Sequence, residues 1–155
     1  MTLHRRGRHL LENAVEFAAG ARSAASQHRD FSGIMLQHVG IAIELSLKSF
    51  LQYRGWSDER CRLELRHDLV KALAATRKLG FRPSDPDLAR IVAVLSPFYR
   101  RHATAELAAQ APEPLESVRT LQVTERLLDD VRAATSSSFG CRAKAQRGRG
   151  LRGSS

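Results

Sequence analysis

A chain of 155 residues has room for one domain with a real core, since about 150 residues bury roughly 70% of the surface their unfolded form exposes, and a second domain would not fit comfortably. The longest uncharged run, from Phe31 to Ile43, stops short of the roughly 20 apolar residues of a membrane span and leads into Glu44 and Lys48, which excludes a membrane protein. The net charge of +9 suggests a nucleic-acid binder until it is located: Arg142, Lys144, Arg147, Arg149 and Arg152 supply five of those charges with no acid beside them, and Arg5, Arg6 and Arg8 supply three more, so the body between the ends is close to neutral.

A first helix is predicted from about Arg8 to His28, with Leu10, Ala14, Phe17, Ala21 and Ala25 on one stripe whose alanines admit a close neighbour. A central helix follows from about Phe31 to Tyr53. Leu36, Val39, Ile43, Leu47 and Phe50 form one apolar row on it, and Ile34, Ile41 and Leu45 form another, so the helix is expected to be buried on two sides. Gly55 stops it, and Ser57 caps a short helix that carries Asp58 and Glu59 at its positive end. Trp56 is expected to cover the bundle end.

The next helix is predicted to begin near His67-Asp68, to turn Leu69, Val70, Leu73 and Leu79 inward, and to end at Gly80. Ser84-Asp85-Pro86-Asp87 reads as a capped start for a fourth, with Leu88, Ile91, Val92, Leu95 and Phe98 or Tyr99 buried. Pro97 is expected to kink or end it near Ser96. After a connection from Ala103 to Ala111, Pro112-Glu113-Pro114 introduces a last helix with Leu115, Val118, Leu121, Leu128 and Val131 at helical steps. No segment reads as a strand. The expected organisation is a single all-α bundle over residues 1–135 and a basic Ser/Gly/Arg-rich tail over 136–155 without apolar periodicity, read as disordered. The N-terminus develops no signal-peptide core, and Cys61 and Cys141 fit neither a disulfide framework nor a metal spacing, which points to a reducing cytoplasm.

The order Ala42-Ile43-Glu44-Leu45, Leu47-Lys48, Gly55, then His67-Asp68-Leu69 with an apolar helix after it, resembles HEPN domains, small helical proteins abundant in prokaryotes. Leu95-Ser96-Pro97-Phe98-Tyr99 with Arg100-Arg101 is similar to the stretch where such proteins often read Asn-Pro-Tyr-Tyr and then an arginine. The resemblance covers about residues 10–133. It implies an antiparallel four- to five-helix up-and-down bundle that forms a homodimer. It further implies a nucleotide- or RNA-associated accessory module without catalysis, at work in a toxin-antitoxin or defence-type system, with a nucleotidyltransferase-type protein as partner and no cofactor or metal.

The alternative within the same resemblance is a metal-independent endoribonuclease, because nuclease members carry an arginine followed after four to six residues by a histidine. Histidine exchanges protons near neutral pH, while arginine holds the developing charge on phosphorus. Arg62 and His67 meet that spacing, as do Arg60 with His67 and Arg22 with His28. With 21 arginines among 155 residues, however, about two such pairs arise by chance. A third reading is a scaffold that docks a protein partner through apolar helix faces.

The polar positions that interrupt the core define the candidate site. Glu44 and Lys48, four residues apart with the acid first, either form a modest ion pair or pair with His67 or Arg101 across helices. His67 is either a ring that orders a turn or a ligand contact. Asp68, Tyr99 and Arg101 complete the cluster, Tyr99 as core-edge packing or as a base platform. The Arg147–Gly153 stretch is either a loose charge-based nucleic-acid tether or an untended end, and the arginine excess over lysine, 21 to 4, is also what GC-rich coding produces.

Overall fold

The computed structural model describes residues 3–27, 33–110 and 112–147, with side chains described between 7 and 136. All regular structure among them is helical: α1 (Leu3–Gln27), α2 (Gly33–Tyr53), α3 (Asp58–Glu64), α4 (Leu69–Lys78), α5 (Leu88–Arg100), α6 (Thr104–Gln110), a 3₁₀ turn at Glu113–Leu115, and α7 (Ser117–Arg147). The all-α class is as expected.

α2 is the organising element, packing against each of the other six helices. Met35, Leu36, Val39, Ala42, Ile43, Leu47 and Leu51 are fully buried along it. The second apolar row is nevertheless not the one predicted. Ile34 is 58% exposed and Ile41 and Leu45 are half-buried, while Met35, Ala42, Ser46 and Ser49 take the other buried face. Small residues serve there because α1 lies close. Ala14, Ala18 and Ala21 face α2, and the Ser49 hydroxyl donates to the carbonyl of Gly7 at 2.5 Å. By length and hydropathy α2 could cross a membrane, but 67% of its most apolar window is buried within the bundle. Its predicted start at Phe31 and the α1 end at His28 lie outside the described residues.

Local signals explain most helix ends. Gly55 and Gly80 take φ of 104° and 91°, the left-handed conformation that glycine enters without a Cβ penalty. Ser57 accepts from the Arg60 N–H and Asp68 from the Lys71 N–H, so each caps the following helix. Trp56 packs against the core with the Arg60 guanidinium 3.7 Å above its ring.

Several expectations are corrected. α5 starts at Leu88, after Ser84 rather than at it, because the Ser84 hydroxyl and N–H both go to Asp130 of α7 while Asp85 and Asp87 receive the Arg119 guanidinium. Pro97 neither ends nor breaks α5, which continues to Arg100. The stretch after Ala103 contains α6, anchored by buried Thr104 and Leu107. Val70 and Val118 are exposed, at 48% and 61%. On α4 the buried stripe is Leu69, Ala72, Leu73 and Thr76, which leaves Val70 a quarter-turn away. In α7, Leu115 belongs to the preceding 3₁₀ turn, and Thr120, Leu121, Val123, Thr124, Leu127, Leu128 and Val131 are buried. The α7 backbone stays helical to Arg147, into the stretch over 136–155 whose composition predicts disorder. Residues 148–155, with most of the Arg147–Gly153 segment, lie outside the described residues.

Candidate functional site

Glu44 is charged and sits in the interior, only 6% exposed. Burial alone would raise its pKa, yet donors from three elements hold it below the usual carboxylate value. Lys48, one turn on, donates to Oε1 at 2.5 Å, Tyr99 of α5 donates its hydroxyl to Oε2 at 2.5 Å, and Nδ1 of His67, in the turn before α4, lies 3.1 Å from Oε2. Lys48 also donates to the Arg66 carbonyl at 2.9 Å, tying α2 to the same turn. The arrangement is a buried carboxylate with a donor on each oxygen and the His67 nitrogen shared between them. Tyr99 is correspondingly pushed far above the ordinary phenol range, by burial first and then by the Glu44 charge, so it remains a donor.

Helix architecture delivers these groups. α5 brings Tyr99 across α2 where Gly40 stands, and an added Cβ on Gly40 would lie 2.4 Å from Tyr99 Cδ2. Asp68 caps α4 and forms an ion pair with Arg100 at 3.3 Å, and the Ser96 hydroxyl accepts from the Leu69 N–H at 3.1 Å. The α3–α4 turn is thereby fastened to α5 at two adjacent points.

The His67 side chain is 57% exposed. An ionised carboxylate only accepts, so the nitrogen facing Glu44 must carry the hydrogen, which leaves Nε2 outside that contact. The His102 ring lies 6.3 Å from that of His67, centroid to centroid, and the Tyr99 ring 6.2 Å from it edge-on. Arg66 and His102 have φ of 51° and 56°, the positive-φ non-glycine residues among those described.

Of the predicted site residues, Glu44, Lys48, His67 and Tyr99 come together directly and Asp68 joins through its turn. Arg101 does not: its Nε donates to the Pro97 carbonyl and its guanidinium lies over Phe98. Arg62 is exposed on α3, which ends at Glu64, so Arg62 and His67 do not share the continuous helix that their spacing suggested. Arg60 is engaged with Glu64 and Trp56, and Arg22 with Glu125 of α7, while His28 lies outside the described residues. Cys61 is buried, and burial raises its thiol pKa, which removes it from thiolate chemistry.

Arg100, Ser96 and His102 are the members the sequence reading passed over. Arg100-Arg101-His102 is a basic triplet, and nothing local separates the arginine that pairs with Asp68 from the one that packs on Phe98. Among the described residues, no three His, Cys, Asp or Glu side chains are grouped so as to hold a metal ion. Comparison with protein-family models, curated proteins and solved structures finds no match for this chain.

Proposed function

We propose that this chain is a HEPN-type bundle acting as a nucleotide- or RNA-associated accessory module without catalysis. It would work in the cytoplasm as a homodimer, with or without a nucleotidyltransferase-type partner, within a toxin-antitoxin or defence-type system. The observation that carries the reading is an exposed histidine ring held from behind by a buried carboxylate that three side chains support, with the ring of His102 beside it. A ring that served only to order the turn needs no such support, because Asp68 and Ser96 already fix that turn. The order of Glu44, Lys48, Gly55 and His67-Asp68-Leu69 supports the family reading. Ligand that binds only the folded state raises the melting temperature by mass action, so titration with nucleotides and RNA tests the proposal. No rise with any of them would favour the protein-docking scaffold.

One observation favours a metal-independent endoribonuclease as the second reading. A carboxylate holding one imidazole nitrogen of an exposed ring is the arrangement that general-base histidines use. Arg62, on α3 while His67 stands in the turn after that helix has ended, argues against the Arg-His pair as the working unit. RNA incubated with the protein in EDTA separates the readings: fragments that vanish in His67→Ala support the nuclease, and intact RNA supports the accessory module.

A further inference from the structure

We infer that the rings of His67 and His102 together form a seat for one phosphate group, the group a nucleotide or RNA presents; naming that ligand rests on the reading above. At 6.3 Å between centroids and 61° between planes, the two exposed rings are close enough for one phosphate to reach both. Glu44 takes the inner nitrogen of His67, so a protonated ring gives one N–H to the carboxylate and the other to the anion.

The charges facing the seat favour an anion. Glu44 of α2 is neutralised by Lys48, also of α2, and Asp68 by Arg100 of α5. Arg66 and Arg101, the chain neighbours of His67 and His102, are exposed and have no carboxylate partner among the described residues. The backbone delivers both rings to this place: Arg66, immediately before His67, and His102 itself take the left-handed conformation that ends α3 and α5, as Gly55 and Gly80 do after α2 and α4.

The test uses the full chain with labelled histidines, titrated with inorganic phosphate, adenosine monophosphate and a short single-stranded RNA. The ring signals of both His67 and His102 are followed by NMR, and affinities are measured for the unmodified chain and for His102→Asn, a side chain that tolerates a left-handed backbone. The expected result is that nucleotide or RNA shifts both rings and binds about tenfold more weakly to His102→Asn, the scale of one lost charge-assisted hydrogen bond. Should that variant fail to fold, the ring shifts of the unmodified chain decide alone. Nucleotide or RNA binding that leaves both rings unmoved overturns the seat and leaves the nucleotide reading standing. Shifts at both rings with inorganic phosphate, but no binding of nucleotide or RNA, uphold the seat and overturn the nucleotide reading. Silence with all three probes overturns both.

Discussion

Tyr99 touches α2 at two points one helical turn apart: its ring rests on Gly40, and its hydroxyl donates to Glu44 at 2.5 Å. A single side chain of α5 thus fixes both the approach of that helix and the carboxylate that holds His67. Two substitutions separate these roles. Gly40→Ala places a Cβ 2.4 Å from the ring and should cost about 1–3 kcal/mol through overpacking. Tyr99→Phe keeps the ring, removes one donor from Glu44 and should cost about 1.5–3 kcal/mol, the value of a hydrogen bond to a charged group. Urea unfolding measures both, and a neutral Tyr99→Phe would mean that Glu44 does not depend on the hydroxyl.

The lowered pKa of Glu44 predicts a pH dependence. Burial opposes ionisation, and the hydrogen bonds from Lys48, Tyr99 and His67 outweigh it. Because the folded-state value lies below the usual 4.5, the cluster's contribution is fully present above about that pH and is lost as pH falls through the folded value. Glu44→Gln should therefore be less stable than the unmodified chain at pH 7, by roughly 1–3 kcal/mol. The gap should narrow as the pH falls below 4.5 and towards the lowered folded-state value. Denaturant melts at a series of pH values check this, and a gap that does not narrow on acidification would show that the carboxylate is not the titrating support.

The burial pattern predicts a contrast between two apolar positions at helical steps. Leu47, fully buried in α2, should lose about 2–5 kcal/mol on replacement by alanine, through lost transfer energy and the cavity left behind. Val118, 61% exposed in the first turn of α7, should change stability by no more than about 0.5 kcal/mol. Equal losses at the two sites would contradict the packing described.

Legibility in the sequence follows the range of the interaction. α2, the stops at Gly55 and Gly80, the cap Ser57 and the helix start near His67-Asp68 depend on neighbours within a turn or so, and they could be read directly. So could the Glu44–Lys48 pair, an i, i+4 contact along one helix. The start of α5 could not, because Ser84 is claimed by Asp130 and Asp85 and Asp87 by Arg119, residues more than thirty positions away. Ile34, Val70 and Val118 mimic core positions by spacing, and only the placement of neighbouring helices leaves them outside. At the site, His67 was visible as a partner for Glu44. Its neighbour His102 arrives by way of α5 and a left-handed turn that no local pattern announces.

The most direct measurement of the central claim is the affinity of a fluorescently labelled single-stranded RNA for the unmodified chain and for His67→Asn, taken by anisotropy at fixed salt with melting temperatures recorded alongside. The account predicts a variant that stays folded and binds about tenfold more weakly. Unchanged affinity in a folded His67→Asn would contradict it, because the ring supported by Glu44 would then have no part in holding the ligand.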